Sequence, residues 1–301
     1  MIFLGTGGSI PTAKRSLPAV LVQRENEHIM FDCGEGVQRQ MIKAKTGFHR
    51  KMKILITHMH GDHVLGLPGL LQTMALLNRE RKIEVYGPEG IDEFFKCVRK
   101  TVQFGLTFPV EIHEVTTVGE ICHEEEYIIE AAWANHAIPA LAYCLREKSR
   151  PGHFSTETAI ALGVPEGLLW GRLQKGMQIK TADGKTVRPP QVMGKLRQGR
   201  KVAYTGDTRP FKELINLALR ADLLIHDATL DDELADRAEE DGHSTPSQAA
   251  LAAKKARVQR LILTHISARY SDAEKLVKQA RKTFKNTDAA EDLMRIEIQL
   301  H

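Results

Sequence analysis

Lys53-Ile54-Leu55-Ile56, a run that reads as a buried strand, leads directly into Thr57-His58-Met59-His60-Gly61-Asp62-His63. Three imidazoles and a carboxylate within six residues at a strand's end converge only if they share a ligand. Imidazole nitrogen and carboxylate oxygen suit a borderline cation such as zinc. The same position, a polar residue just past an apolar run, recurs three times. His136 follows Ile128–Ala134, Asp207 follows Val202–Thr205, and His265 follows Leu261–Leu263. Ligands at the carboxyl ends of several strands gather in one crevice of an α/β sheet. Seven ligands predict two metals, one held by histidines and one by a mixed set, sharing a bridging carboxylate. Two ions about 3.5–4 Å apart hold a hydroxide between them and stabilise entering and leaving oxygens, so the expected chemistry is hydrolysis of a phosphoester or a polarised carbonyl.

Working outward, strand-like runs are Met1–Leu4, Ala19–Gln23, His28–Asp32, Ile54–Thr57, Ile83–Tyr86, Val110–Val115, Tyr127–Ala134 and Ala140–Arg146, then Val202–Thr205, Leu223–His226, Leu261–Thr264 and Ile296–Leu300. Helical periodicity marks Val37–Lys45, Pro68–Arg79, Ile91–Gln103, Phe211–Arg220, Ser247–Lys255 and Ala273–Phe284. Thr245-Pro246-Ser247-Gln248 supplies a start signal: a capping Thr, Pro in the first turn and Gln at the third position. Early strands follow one another directly and later ones alternate with helices, which predicts an α/β fold of two sheets with helices outside. Residues 147–193 break this rhythm with Pro151, Pro165, Pro189, Pro190 and one helical patch near Thr156–Leu162. They are read as an insertion.

The chain has 301 residues, 42% hydrophobic and 27% charged, a composition that excludes disorder and a disulfide scaffold. No apolar run reaches the roughly 18–20 residues of a membrane span. Met1-Ile2-Phe3-Leu4-Gly5 has neither the basic flank nor the cleavage site of a secretory signal. Cys33, Cys97, Cys122 and Cys144 form no Cys-x-x-Cys pair, so they are expected as buried thiols in a reducing cytosol. Net charge is only +4, but residues 145–201 hold 12 Lys/Arg against 4 Asp/Glu, leaving the rest of the chain at −4. A field concentrated in that way attracts a polyanion.

The metal motif, with His136, with Asp207 in Gly206-Asp207-Thr208, and with His265, resembles the metallo-β-lactamase superfamily. Gly5-Thr6-Gly7-Gly8-Ser9 with Pro11-Thr12 and Arg15, the insertion, His226-Asp227-Ala228-Thr229 and His243-Ser244-Thr245 sharpen the resemblance to the ribonuclease Z family over essentially the whole chain. The resemblance implies a four-layer αββα sandwich spanning 1–301, with 147–193 as an inserted, protruding tRNA-binding arm. It implies a zinc-dependent endoribonuclease that removes the 3′ trailer of precursor tRNA and leaves a 3′-hydroxyl, a metal-bridging hydroxide attacking the phosphodiester. His58, His60, His136 and Asp207 would hold one Zn²⁺, and Asp62, His63, Asp207 and His265 the other. The same ligands accept Mn²⁺, Fe²⁺ or Co²⁺. Asp62 matches the position credited with taking a proton from the attacking water, and Asp227 with His243 the pair that protonates the leaving oxygen. A cytoplasmic homodimer without membrane association is also implied.

Three positions depart from the family pattern: Asp227 replaces a glutamate, Ser16 an asparagine, and Leu168 the proline of the arm's tip. On the substrate side, Lys14 and Arg15 near the cleaved end, with Arg150, Arg172, Lys175, Lys180 and Lys185 on the insertion, are candidate phosphate contacts. Trp170 is a candidate for stacking on a nucleotide, while Trp133, Phe31 and Met74 fit core positions. Two other functions fit the sequence less well. Another binuclear hydrolase of the superfamily (thioesterase, lactonase or arylsulfatase) has no need of a cationic arm, and a non-catalytic RNA-binding relative has no reason to keep seven ligands.

Overall fold

The computed structural model describes residues 1–300, so His301 lies outside the account that follows. The chain divides into two compact units, Met1–Arg146 with Lys201–Ile298, and Glu147–Arg200 with the residues from Gln299 onward.

The first unit holds two sheets. Sheet one runs in the order β1 (Ile2–Gly5), β2 (Ala19–Arg24), β3 (Glu27–Phe31), β4 (Lys51–Leu55), β5 (Ile83–Gly87) and β6 (Val110–Glu114). Its first two pairings are antiparallel and the remaining three parallel. Sheet two contains β7 (Gly119–His123), β8 (Tyr127–Ala134), β9 (Ala140–Glu147), β10 (Lys201–Tyr204), β11 (Leu223–Asp227), β12 (Arg260–Thr264) and β13 (Thr287–Ala289), again in spatial sequence. From β10 to β13 every pairing is parallel.

Strands buried on both faces are written as nearly continuous apolar runs, and alternation decides only which layer each side chain enters. On β1, Ile2 and Leu4 join the layer against α1 (Val37–Lys43), α3 (Gly66–Leu76) and α4 (Ile91–Val102), while Phe3 joins the layer between the sheets. Between the sheets Phe3, Val20, Phe31 and Leu55 meet Tyr143, Tyr204, Ile225 and Ile262. A third layer, rich in alanine, lets α5 (Glu213–Leu217), α7 (Pro246–Ala256) and α8 (Glu274–Arg281) approach the far face of sheet two closely. Three apolar layers between four layers of secondary structure make the αββα sandwich. Thr245 caps α7 as its sequence requires, accepting from Gln248 N while Gln248 Oε1 accepts from Thr245 N at 2.8 Å.

Some expectations are corrected. Ile296–Leu300 is no strand. The tail touches β1 through Met1, Phe3 and an isolated Ile2–Arg295 bridge, too irregular for a ladder. β7 was not foreseen, because its Gly-Glu-Ile-Cys-His sequence lacks a clean alternation. Trp133 is 40% exposed, since β8 runs past its neighbour β7 at that point, whereas Phe31 and Met74 are buried. Only Cys33 and Cys144 are buried; Cys97 is exposed and Cys122 intermediate.

The second unit carries helices at Thr156–Ala161, Leu168–Gln174 and Pro189–Val192 and a ribbon pairing Ile179–Lys180 with Thr186–Val187. Ala159, Val164, Leu173, Ile179, Val187 and Val192 form its own small core. Trp170 packs on that core, 5.4 Å from the Phe154 ring, and donates Nε1–H to Val164 O at 3.0 Å. Its one polar group is satisfied inside the unit, and the ring is half-buried against that core.

Candidate metal centre

Each metal-ligand candidate sits just past the carboxyl end of a strand. His58, His60, Asp62 and His63 follow β4 and enter a single turn, α2 (Gly61–Val64). His136 follows β8, Asp207 follows β10 and His265 follows β12. Ligands therefore come from both sheets to one end of the sandwich.

The separations fit cations in two adjoining places. His60 Nδ1 lies 3.1 Å from His58 Nε2 and 3.2 Å from His136 Nε2. Beside them, Asp207 Oδ2 lies 3.3 Å from both His63 Nε2 and His265 Nε2, and 3.7 Å from His58 Nε2. Asp62 Oδ2 is 3.4 Å from His265 Nε2 and 3.6 Å from His63 Nε2. Ligand atoms each about 2.0–2.1 Å from one tetrahedral zinc lie about 3.3 Å apart, which is this spacing. Two imidazole nitrogens that close, in a buried place, need a proton or a cation between them. Asp207 Oδ1 is also buried without a hydrogen-bond partner, a second sign that this carboxylate serves something other than protein.

Behind these atoms, the other ring nitrogens are fixed. His63 Nδ1 donates to Asp32 Oδ2 at 2.7 Å, His136 Nδ1 to Gly242 O at 2.7 Å, and His265 Nδ1 to Thr229 Oγ1 at 2.7 Å. His58 Nδ1 lies 3.0 Å from Thr57 Oγ1, whose hydroxyl donates to Asp32. Each of these bonds leaves Nε2 as a lone-pair donor toward the centre, the arrangement metal-binding histidines use. Asp32 escaped the sequence reading. It is fully buried, ends the run that forms β3, and also accepts from Thr57 N at 2.7 Å and Tyr204 OH at 2.8 Å. The rule that found His136, Asp207 and His265 applies to it unchanged.

Three of the ten non-glycine residues with positive φ among the described residues lie here. Asp32 (φ 56°), His265 (φ 59°) and Ser9 (φ 57°) adopt left-handed conformations without being glycine. Such strain persists where the surroundings over-determine it, typically at functional sites. Gly8 is packed so tightly on the His265 ring that a Cβ would lie 2.6 Å from Cε1. The next residue, Ser9, donates its N–H to Asp62 Oδ2 at 2.8 Å.

Burial and neighbouring charge divide the histidines. Burial, then the adjacent His63, holds His58 well below its ordinary value. Burial opposes charge on His63 too, but Asp207 and Asp32 outweigh it and raise that ring well above normal. Asp207 is driven the other way: burial disfavours its charge, yet His265 and His63 keep it ionised far below the carboxylate range. So much imidazole around one buried carboxylate is an environment that a divalent cation would stabilise.

His243 stands beside the cluster, its Nδ1 3.0 Å from Asp227 Oδ2. Burial would lower this imidazole, but Asp227 raises it to about 9. The aspartate, one methylene shorter than the family's glutamate, reaches its histidine. It also accepts from Thr208 N, Ser244 N, Thr229 N and Thr229 Oγ1.

The candidate phosphate contacts divide. Lys14, Arg172, Lys175, Lys180 and Lys185 are exposed. Arg150 is half-buried, with Nε and Nη2 shielded and unpartnered. Arg15 is 9% exposed, and its Nη1 donates inward to Thr6 Oγ1 and Ala290 O, both at 2.7 Å. Those bonds tie Nη1 to the base of the loop.

Residues 176–266 match the family profile described as a beta-lactamase superfamily domain, and residues 1–135 match the one described as anti-Pycsar protein Apyc1. A protein of Methanosarcina acetivorans named ribonuclease Z is 46% identical over 297 residues, covering 98% of this chain and 97% of its own. Its namesake in Methanothermobacter thermautotrophicus is 43% identical over 299 residues, covering 99% and 96%. The crystal structure of human tRNase Z, short form, superposes with a TM-score of 0.72 at 31% identity, covering 99% of this chain and 98% of that one. Taken with the αββα sandwich and the histidine–aspartate centre at its strand ends, these near-full-length relationships place the chain in the ribonuclease Z family.

Proposed function

We propose that the protein is a tRNA 3′-endoribonuclease that cuts the trailer from precursor tRNA and leaves a 3′-hydroxyl. The observation carrying this reading is the pairing, at one strand-end crevice, of a seven-residue ligand set with a separate Asp227–His243 couple. His58, His60, His136 and Asp207 would hold one divalent ion, and Asp62, His63, Asp207 and His265 a second, with zinc as the best match to the ligand chemistry. When bound, the ions would supply Lewis acidity, lowering the pKa of a water and neutralising charge that develops on phosphate oxygens.

The chain's own groups do the rest. Asp62, fixed by the Ser9 amide, orients the attacking water. His243 carries a proton on a ring held by Asp227 and gives it to the departing ribose oxygen, which is too basic to leave unprotonated. The exposed cations of residues 147–200, Arg172 and Lys175 among them, would hold tRNA phosphates. A homodimer is proposed with the family, and exposed apolar residues such as Ile42 on α1, Leu65 just before α3 and Leu76 on α3 are ones an interface would cover. No helix among the described residues is long and apolar enough to cross a membrane.

The direct test is cleavage of a 3′-extended precursor tRNA by the metal-loaded protein, with both fragments end-mapped. A single cut at the trailer boundary with a 3′-hydroxyl is expected. Hydrolysis of small phosphodiesters with no cut in the precursor would move the assignment to another binuclear hydrolase.

A further inference from the structure

The loop from Thr6 to Ser16 has an exposed tip, residues 9–14, and a base joined by bonds from Thr6 N and Gly7 N to Ser16 O, both 3.0 Å. Its tip reaches the metal centre at one point, where Ser9 N donates to Asp62 Oδ2. Nothing in the loop's own sequence explains why a stretch with Gly7, Gly8 and Pro11 should hold that amide in place.

Gly7 and Gly8 pair with Ile266 and Ser267 on one side, and a further holding group comes from the other end of the chain. Asp292 Oδ1 accepts from Thr6 Oγ1 at 2.8 Å, and Oδ2 accepts from Ser16 N at 2.7 Å and Gln40 Nε2 at 2.9 Å. One carboxylate thus grips both feet of the loop and pins them to α1, where Gln40 also donates to Leu4 O at 2.7 Å. Arg15 adds a second tie, bonding Thr6 Oγ1 and Ala290 O. The segment around Asp292 is itself anchored on β1, by Leu293 N donating to Phe3 O and Phe3 N to Met294 O.

We infer that Asp292 is a positioning residue for the metal centre, clamping the base of the 6–16 loop so that the Ser9 amide holds the Asp62 carboxylate in its ligating orientation. The effect is transmitted through two hydrogen-bonded steps, and Asp292 touches no reacting atom. It rests on the reading of Asp62 as a ligand. Outer partners of metal ligands are typically worth 10–100-fold in affinity or activity, and this one, a step further out, should lie near the lower figure.

The test uses full-length Asp292→Ala and Asp292→Asn, with Glu291→Gln as a neighbouring control and Asp62→Ala as the reference for loss of the ligand itself. The readouts are zinc affinity in competition with a chelator, the visible spectrum of the cobalt-loaded protein, and circular dichroism to confirm folding. Both Asp292 variants should bind metal about 10-fold more weakly with an altered cobalt spectrum, and hydrolyse a small phosphodiester with reduced kcat and unchanged KM. Glu291→Gln should match wild type. If Asp292→Ala does not fold, Asp292→Asn, which keeps the volume but turns a donor toward other donors, gives the same reading. A folded Asp292 variant with wild-type affinity and spectrum overturns the inference. Wild-type metal binding by Asp62→Ala would instead overturn the assignment of Asp62 beneath it.

Discussion

His243 and Asp227 form a buried couple at 3.0 Å, in which Nδ1 faces the carboxylate and the ring stacks on His265 at 5.2 Å. In the proposed reaction Nε2 would thereby be the nitrogen offered to the substrate. An imidazole raised to about 9 stays protonated at neutral pH and has a proton to give.

His243→Ala should therefore lower kcat on precursor tRNA by about 10²–10⁴-fold, the usual worth of a general acid. A nitrophenyl phosphodiester, whose leaving group needs no proton, should be cut at nearly the wild-type rate. Equal losses on both substrates, measured side by side, would make His243 a structural neighbour of the metals.

Restoring the family's glutamate at 227 would be tolerated if the backbone allowed the longer reach. The five donors converging on the fully buried Asp227 leave no slack for it. Asp227→Glu should cost about 1–3 kcal/mol, as overpacking does, and lower Tm by several degrees. An unchanged melting curve would show that Thr208 and Thr229 yield.

Asp207→Ala removes the one oxygen that approaches His58, His63 and His265 together. Metal content by elemental analysis should fall well below wild type, and turnover should be lost. Full metal retention would refute a carboxylate shared between the ions.

Glu147 N donates to Arg200 O at 2.9 Å, and the Arg200 guanidinium bonds the Glu147 carboxylate at 2.6 Å, so the ends of the second unit already meet. Deleting residues 148–199 should raise KM for precursor tRNA more than 10-fold and spare a small phosphodiester, because remote contacts position only the large substrate. Parallel losses on both would mean the segment supports the fold.

Away from the site, Lys53 on β4 points between the sheets with no exposed side-chain surface, 2.6 Å from Glu124 and 3.1 Å from Glu84. Burial disfavours its charge, but these carboxylates raise its affinity for the proton, and they are held below their ordinary values in return. Lys53→Met should cost roughly 3 kcal/mol, the low end for breaking a buried pair, because Glu124 keeps some solvent. Depressed carboxylates stabilise above their unfolded values and a raised lysine below its own, so the wild-type advantage should be full between about pH 5 and 10. It should fade as acid protonates Glu84 and Glu124. A difference in Tm that stays constant down to pH 3 would contradict the charge-pair account.

The strand ends were legible because one rule, an apolar run followed by a polar residue, describes a ligand in a sandwich closed on both faces. Asp32 obeys the rule but was read as the last residue of its run. Lys53 broke the run's apolar character without revealing that glutamates from β3, β5 and the turn after β7 would meet it. Arg15 read as a surface cation since only the fold brings Ala290 beside it. Each of these depends on partners 25 to 275 positions away, which no local pattern encodes.

His63 and His265 face each other at 3.4 Å although 202 positions separate them, and the first follows β4 of sheet one, the second β12 of sheet two. Only the His58–His63 stretch is local in sequence; the remaining donors, His136, Asp207 and His265, are brought to it by the fold. Metal loading would then follow folding, and a bound ion would act as a clasp across the seam between the sheets. Stripping it should loosen that seam first, leaving each sheet with its own helices largely intact.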